Sequence, residues 1–335
     1  MPVKENMATS STIALVLAAG MGTRMKSDRP KVLHEVFFAP MIHHVMDALA
    51  PLPLSRTIVV TGHGRAQVEA SLASYGPTCV YQEKQLGTGH AVLSCEQELA
   101  GYDGAVLILC GDTPLIRTAT LARFLAAHHE NSSSLTVMTT EVAEPAHYGR
   151  IIRDGQGYLE KIVEEKDADE NQRKIKEINA GIYCVDSRLL LDCLKRVVAN
   201  NKQGELYLTD IVEIAGRDGV RALAFRCEDG DEVMGVNSRQ EQARAHFLLQ
   251  QRHVRFLLDS GVTILQPENV VIGKDVTIGR DSTIHPFTVL TGKTVIGSSV
   301  TVESFVTISD CSIADGVQVA AYSSLRGKKV PSGRS

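Results

Sequence analysis

The amino-acid sequence lacks several features that define other classes of protein. No apolar stretch among its 335 residues is long enough to cross a bilayer, and its seven cysteines form no C-x-x-C pair. Basic and acidic residues nearly balance, 35 against 39, so the net charge is -4. No overall positive field therefore points to nucleic acid or to a membrane surface. An anionic substrate would have to be held by a local cluster of positive charge.

The cysteines and the N-terminal segment predict a cytoplasmic location. Several cysteines lie in apolar runs such as 107–110, and we interpret all seven as reduced core residues. The first residues, MPVKENMATSS, are polar and contain no apolar segment of the kind found in a signal peptide.

The first two thirds of the chain alternate between short apolar runs and helical patterns. Strands are predicted at 13–17, 57–61, 79–81, 106–110, 135–141, 175–184 and 220–226. Helices are predicted at 41–49, 65–74, 88–99, 118–129, 187–198, 209–215 and 238–260. This βαβ rhythm predicts an α/β domain with a mostly parallel sheet, in which ligands bind at the carboxyl ends of the strands.

The sequence changes in texture from about residue 269. An aliphatic residue recurs at about every sixth position, often followed by glycine, as in VVIGKD VTIGRD. Such hexapeptide repeats form a parallel β-helix, because each coil turns its aliphatic corners inward and stacked coils share one apolar column. We expect about three coils.

A glycine-containing loop follows the first predicted strand. Residues 17–25 read LAAGMGTRM, and Pro30 and Lys31 follow closely. Glycine lets the backbone turn its N–H groups toward phosphate oxygens, and Arg24 and Lys31 add positive charge nearby. A dinucleotide-binding loop fits less well, because Met25 replaces the third glycine of G-x-G-x-x-G, and no G-K-[ST] of a P-loop follows.

These motifs resemble those of the sugar nucleotidyltransferases, and most closely the bacterial N-acetylglucosamine-1-phosphate uridyltransferases. The pattern L-x-x-G-x-G-x-R-M followed by P-K is joined, in the same order, by QLGTGHA, GDTPL, YGRI, EEKDA, EINAG, GELYLTD and GVN. The resemblance covers residues 12 to 326. The repeats also match, since that family carries a β-helical acetyltransferase domain.

The resemblance implies a fold and a division of the chain. The fold is a Rossmann-like nucleotidyltransferase domain with a mostly parallel mixed sheet, followed by a short left-handed parallel β-helix. The predicted boundaries are an N-terminal tail at 1–11, the nucleotidyltransferase domain at 12–237, a linker helix at 238–262, a truncated β-helix at 263–326 and a tail at 327–335. Because β-helices of this family usually form trimers, the resemblance leaves a homotrimer open.

The resemblance also implies the substrates and the roles of residues. Asp112 and Asn237 would hold Mg²⁺, which prefers oxygen ligands and takes few of them from protein, and Arg24 and Lys31 would act on the phosphates of UTP. The remaining contacts are to the substrates. Those to the nucleotide are assigned to Ala18, Ala19, Gly20, Gln82, Gly87 and Thr88, and those to the sugar to Gly149, Glu164, Asn179 and Thr209. Leu17 and Asn237 are also assigned to substrate binding.

The implied reaction transfers UMP from UTP to N-acetylglucosamine 1-phosphate for cell-wall precursor synthesis. The sugar phosphate attacks the α-phosphorus of UTP directly, so no protein nucleophile is required. Two alternatives stay open: a related enzyme for another sugar or base, and a relative that binds sugar nucleotides without chemistry.

Cys110 and Ala180 depart from residues common in the family. Because the repeats stop near Ser324 and the segment KKVPSGRS shows no hexapeptide spacing, we expect no acetyltransferase activity.

Overall fold

The computed structural model describes residues 11–333. Of the tail predicted at 1–11, all but Ser11 lies outside the described residues. Contacts divide the chain into two compact units. The first contains residues 11–34 together with 40–239, and the second contains 35–39 together with 240–333.

Within residues 11–333, eleven strands and eight α-helices precede the β-helix. The strands are β1 (Thr12–Ala18), β2 (Glu35–Val36), β3 (Ala39–Pro40), β4 (Arg56–Thr61), β5 (Thr78–Tyr81), β6 (Ala105–Cys110), β7 (Leu135–Glu141), β8 (Arg150–Arg153), β9 (Leu159–Val163), β10 (Glu177–Asp186) and β11 (Leu223–Arg226). The helices are α1 (Met41–Leu49), α2 (Arg65–Ser71), α3 (Thr88–Leu93), α4 (Glu96–Leu99), α5 (Thr118–Glu130), α6 (Ser187–Arg196), α7 (Asp210–Arg217) and α8 (Arg239–Asp259).

The first unit is built on a nine-stranded mixed sheet. Its main path runs β11-β7-β10-β6-β1-β4-β5, and β8 and β9 branch from β10. Strands β6, β1, β4 and β5 pair in parallel, whereas β10 is antiparallel to both β6 and β7. This is the Rossmann-like, mostly parallel mixed sheet that the sequence predicts.

Both faces of the sheet are covered, as the unbroken apolar runs require. Successive side chains of a strand point to opposite faces, so Ile13 and Leu15 of β1 belong to one buried cluster. Ala14 and Val16 belong to the cluster on the other face. Helices lie over each face, and the carboxyl end of β1 is left open between them for the loop that follows.

The sequence patterns miss one hairpin and shift some boundaries. Strands β8 and β9 pair as an antiparallel hairpin that was not predicted. Its first residue, Arg150, looks polar in the sequence but is buried, and its guanidinium is paired with Glu165. The predicted helix at 88–99 is two helices, α3 and α4.

The second unit contains α8 and a parallel β-helix of twelve short strands. They are β12 (Thr263–Ile264), β13 (Val271–Ile272), β14 (Thr277–Ile278), β15 (Thr283–Ile284), β16 (Val289–Thr291), β17 (Val295–Ile296), β18 (Thr301–Val302), β19 (Thr307–Ser309), β20 (Ser312–Ile313), β21 (Gln318–Val319), β22 (Ser324–Arg326) and β23 (Lys329–Val330). Each strand stacks in parallel on the strand three places further along the chain, which forms three four-stranded sheets. Their aliphatic corners make one continuous core.

Two details of the predicted β-helix are wrong. Four strands stack in each sheet, which makes four coils and not about three. The β-helix also continues past residue 326, because Lys329 and Val330 form β23 and pair with Ser312 and Ile313 of β20. The predicted tail at 327–335 therefore begins with a further strand. Val330 was missed because its spacing from the preceding aliphatic residue, Leu325, is five and not six.

Two further findings concern the chain as a whole. Within residues 11–333, no helix is both long and apolar enough to span a membrane. All seven cysteines are unpaired, and five of them are buried.

Candidate active site

Strands β1 and β6 end side by side, and a cleft opens there. Leu17 pairs with Cys110 in the parallel register, and the N–H of Gly111 donates to the carbonyl of Leu17 at 2.9 Å. The cleft has a volume of about 490 Å³. Of the residues assigned from the sequence, those that line it are Leu17, Ala18, Ala19, Gly20, Lys31, Gln82, Gly87, Thr88 and Asp112.

The loop after β1 is shaped by its two glycines. Gly22 has φ +63, and a Cβ there would lie 2.6 Å from the Cβ of Lys31, so a side chain would push Lys31 out of place. A Cβ at Gly20 would meet nothing within 4 Å, so this glycine faces open space. The loop therefore leaves room for phosphate beside its backbone while Gly22 packs against the stem of Lys31.

The ammonium group of Lys31 contacts two oxygen atoms from distant parts of the chain. It is ion-paired with Oδ2 of Asp112, and it donates to Oδ1 of Asn237 at 3.0 Å. The N–H of Val236 donates to the carbonyl of Asp112 at 2.9 Å, which ties the two segments together. The Lys31 and Asp112 side chains are only 15% and 13% exposed.

The side-chain oxygens of Asp112 and Asn237 are suited to a divalent metal. Their two side-chain oxygens converge on one cationic atom, Nζ of Lys31. Oxygen donors of this kind suit Mg²⁺, which takes one or two protein ligands and completes its shell with phosphates and water. Within the described part of the chain, no group of three or more His, Cys, Asp or Glu side chains could hold a metal. The pair of oxygens is the donor set that fits.

Arg24 does not join this cluster. It lies on a 3-10 turn, Thr23–Met25, its side chain is exposed, and it is not among the residues that line the cleft. Its role at the phosphates stays a prediction.

Gln82 lies at the other end of the cleft, directly after β5. It is buried, and its amide nitrogen donates to the carbonyl of Gly87 at 3.2 Å. Gly87 has φ +110, and a Cβ there would lie 2.4 Å from the carbonyl oxygen of Leu206. Thr88 accepts a bond from the N–H of Leu208 at 3.0 Å. The segment after Gln82 is thus fixed against the chain that precedes α7.

The residues assigned to the sugar form a second group. Thr209 donates through Oγ1 to Oε1 of Glu164 at 3.2 Å, and the N–H of Asn179 donates to the carbonyl of Gly149 at 2.9 Å. A Cβ at Gly149 would lie 3.5 Å from Oε1 of Glu164. The four residues therefore surround one space. Burial raises the pKa of the Glu164 carboxyl, and the bond from Thr209 only partly offsets this effect.

Sequence reasoning missed one residue beside this group. The Asn179 amide donates to the hydroxyl of Tyr183 at 2.7 Å, and Tyr183 was hidden in an apolar strand pattern. Cys110, which the sequence marks as a departure from the family, lines the cleft, and its sulfur would be 3.7 Å from a Cβ at Gly181. Burial, and next the charge of Asp112, raise the pKa of the Cys110 thiol to about 12, so it is present as the uncharged thiol.

The two departures from the resembled family differ in their surroundings. Ala180 is buried in the core cluster on one face of the sheet, together with Ile182 and Cys184. It packs away from the Asn179 amide, which holds Tyr183. Cys110, by contrast, lines the cleft.

A larger cavity of about 770 Å³ lies at the opposite edge of the sheet, around the start of β6. Arg188 and Asp103, which line it, pair with each other at 2.9 Å and are 78% and 76% exposed. In α/β sheets ligands bind at the carboxyl ends of strands. The cleft beside Lys31 and Asp112 is therefore the better candidate site, although it is the smaller of the two.

The sheet, the glycine loop at the end of β1 and the lysine–aspartate pair define a nucleotidyltransferase. Residues 14–177 match the MobA-like NTP transferase domain. The chain is 44% identical over 313 residues to the bifunctional protein GlmU of Desulfotalea psychrophila. The match covers 93% of this chain and 92% of that relative. The chain belongs to the GlmU family.

Other relatives are longer than this chain. GlmU of Listeria monocytogenes serotype 4b is 46% identical over 266 residues, and the match covers 79% of this chain but 58% of that relative. Two solved structures share the fold at low identity. A protein named as a glucose-1-phosphate thymidylyltransferase of Bacillus anthracis has a TM-score of 0.56 at 20% identity over 71% of this chain and 95% of its own. A UDP-glucose pyrophosphorylase complexed with UDP-glucose has a TM-score of 0.59 at 18% identity over 72% and 99%.

We predict that Glu164→Gln leaves the protein at least as stable at pH 7 as the parent. An acid whose pKa is raised by folding is penalised when ionised. The penalty is absent below its unfolded value of about 4.3 and grows as the pH rises toward the folded pKa. Thermal unfolding midpoints between pH 4 and 8 measure this, and the parent should lose stability relative to the variant as the pH rises.

The matched control is Glu160→Gln, because Glu160 is exposed on β9 close to Glu164. This control should show no such difference across the same pH range. A Glu164→Gln midpoint well below that of Glu160→Gln at pH 7 would mean that the ionised carboxylate stabilises the fold.

Proposed function

We propose that this chain catalyses the Mg²⁺-dependent transfer of UMP from UTP to N-acetylglucosamine 1-phosphate, releasing pyrophosphate. The product, UDP-N-acetylglucosamine, is a precursor for cell-wall synthesis. The observation that carries the proposal is the contact of the Lys31 ammonium with oxygens of Asp112 and Asn237 at the mouth of the glycine loop. Membership of the GlmU family supports it.

The proposed chemistry is a direct displacement at the α-phosphorus of UTP. The sugar phosphate has a second pKa of about 6, so it is largely dianionic near neutral pH and needs no general base. The protein has to bring two polyanions together in line. Lys31 supplies a fixed positive charge, and the N–H groups of the loop from Ala19 to Gly22 are available to phosphate oxygens.

Asp112 and Asn237 would hold the Mg²⁺ through their side-chain oxygens. When bound, the metal neutralises phosphate charge, which is the usual contribution of Mg²⁺ in phosphoryl chemistry. The position of both residues is secured by the bond from Val236 to the carbonyl of Asp112. Arg24 would supply a second positive charge to the phosphates, because its long side chain is exposed and can reorient toward them.

The two ends of the site would bind the rest of each substrate. Gln82, Gly87 and Thr88 contact the uracil, since a primary amide offers both a donor and an acceptor to a base edge. Glu164, Asn179 and Thr209 contact hydroxyl and amide groups of the sugar. Cys110 lines the cleft between these two sets.

We expect pyrophosphate release only when UTP is combined with N-acetylglucosamine 1-phosphate and Mg²⁺. The test is a matrix of UTP, CTP, ATP, GTP and dTTP against the 1-phosphates of N-acetylglucosamine, glucosamine and glucose. Transfer with another sugar at a higher kcat/KM would replace the proposed substrate. No pyrophosphate with any pair would favour a relative that binds without chemistry.

We expect Lys31→Met to lower kcat/KM by at least about 10²-fold, because it removes one preorganised charge from the reacting phosphates. Asp112→Asn should cause a loss of similar size and weaken the dependence on Mg²⁺. The matched control is Lys26→Met, since Lys26 is an exposed lysine of the same loop. Rates and thermal midpoints are measured together.

The role of Lys31 in catalysis would be contradicted by a specific result. If Lys31→Met loses stability and activity in the same proportion, and if the double variant with Asp112→Asn recovers both, then the pair acts on the fold alone. A kcat/KM equal to that of Lys26→Met would also contradict the role.

The absence of acetyl transfer in this 335-residue chain stays a prediction. It is tested by mixing the protein with acetyl-CoA and glucosamine 1-phosphate and by following release of the free CoA thiol. Thiol release that depends on the sugar phosphate and on the protein would contradict it. Pyrophosphate release measured on the same preparation shows that the sample is active.

A further inference from the structure

We propose that His90 is a positioning residue that fixes the amide of Gln82 so that only the amide oxygen is left to read the base. The site then selects a base that presents an N–H at N3 to this oxygen, as uracil does, whereas the N3 of cytosine carries no hydrogen. This inference rests on the proposed function for the identity of the nucleotide, but it concerns the base alone and is independent of the sugar.

The amide nitrogen of Gln82 has two partners in the structure. Nε2 lies 3.2 Å from the carbonyl oxygen of Gly87 and 2.9 Å from Nδ1 of His90. An amide nitrogen is a donor only, so Nδ1 of His90 must be the acceptor. The imidazole therefore carries its proton on Nε2, and both N–H groups of Gln82 are engaged.

The oxygen of the same amide is left for a ligand. No described residue donates to Oε1 of Gln82, while the side chain is only 3% exposed and lines the cleft. Oε1 of Gln82 is not among the fully buried atoms that lack a partner, so it is accessible from the cleft and can accept a hydrogen bond from the ligand. The N3–H of uracil is such a donor. The N3 of cytosine is an acceptor and would face the oxygen with no hydrogen between them.

Both anchors of the amide are themselves fixed. Gly87 directly precedes α3 and cannot carry a side chain, because a Cβ would collide with the carbonyl of Leu206 at 2.4 Å. The N–H of Gly89 donates to that same carbonyl at 2.8 Å. His90 follows within the first turn of α3, so its ring is presented from a segment that cannot easily move. A flipped Gln82 would place its oxygen against two acceptors.

His90 is needed in addition to Gly87. With only one acceptor, one N–H of Gln82 becomes free, and a rotated amide can offer it to the N3 of cytosine. With both acceptors in place, that rotation costs a hydrogen bond and creates a repulsion between lone pairs. Sites built around a committed donor or acceptor reject the wrong partner strongly, because buried polar groups are left unpaired.

The experiment compares UTP with CTP in the full-length protein with Mg²⁺. The variants are His90→Ala, which removes the acceptor, and His90→Asn, whose Oδ1 can occupy the place of Nδ1. The matched control is His43→Ala, a partly buried histidine that bonds Ser71 on α2 at 2.8 Å, outside the cleft. Two quantities are measured: the ratio of kcat/KM for UTP over CTP, and the Kd of each nucleotide without the sugar phosphate.

We expect His90→Ala to lower the UTP-over-CTP ratio at least tenfold in both measurements. The affinity for UTP should fall by a smaller factor than the factor by which the affinity for CTP rises. His90→Asn should restore most of the selectivity, and His43→Ala should leave it unchanged. A merely structural histidine would lower binding of both nucleotides by the same factor.

The outcomes separate this inference from the proposed function. Parent protein that binds UTP in preference to CTP without transferring to any sugar phosphate would overturn the proposed function, while the variants would still test His90 by Kd. An unchanged ratio in His90→Ala, or a parent that does not distinguish UTP from CTP, would overturn the inference. If His90→Ala does not fold, His90→Asn and His90→Gln decide, because the first keeps an acceptor at the Nδ1 position and the second displaces it. Selectivity kept in His90→Asn and lost in His90→Gln supports the inference. Equal selectivity in the two variants contradicts it.

Discussion

The contact of one ammonium group with two side-chain oxygens is the interaction on which the arrangement of the site depends. Lys31 is 81 residues from Asp112 and 206 residues from Asn237 along the chain, yet all three meet where β1 and β6 end. The parallel pairing of these two strands is what makes the meeting possible, because it brings Leu17 and Cys110 to the same edge. The glycine at position 22 then lets the stem of Lys31 lie against the loop.

The charge balance of the chain makes this local arrangement necessary. With a net charge of -4, the protein has no general attraction for a nucleotide, so phosphate binding must come from placed groups. The oxygens of Asp112 and Asn237 hold the Lys31 ammonium in place at low exposure. Because the ammonium is already positioned, little reorganisation is needed when phosphates bind.

The sequence predicts much of the fold because its signals are local. Buried parallel strands appear as unbroken apolar runs, as at 106–110, and the aliphatic corners of the β-helix recur at a nearly fixed spacing. The hairpin of β8 and β9 was not predicted, since Arg150 looks polar in the sequence but is buried with Glu165, which follows β9, and with the carbonyls of Tyr148 and Arg173 as partners. Val330 was missed for a related reason: its position is set by pairing of β23 with β20, not by the count from Leu325.

The sequence predicts most of the residues that line the cleft but not the contacts they make. The motif that contains Gln82 and Gly87 assigns them to the nucleotide, yet no sequence pattern shows that the amide nitrogen is already committed to Gly87 and His90. Likewise the sequence places Glu164 in a charged run that looks solvated, whereas the fold buries it and raises its pKa. Both effects depend on groups brought together from different elements.

Gln82 and Glu164 also show how the two ends of the site differ physically. At the proposed nucleotide end, both N–H groups of Gln82 are bonded within the protein, and its amide oxygen is left for the base. At the proposed sugar end, burial disfavours the charge of the Glu164 carboxylate, and a single hydroxyl from Thr209 only partly offsets this effect. Hydroxyl groups of a bound sugar would supply further donors to that carboxylate. The sugar end is therefore the part of the site whose stability gains most from its ligand, and the nucleotide end is the part that is rigid beforehand.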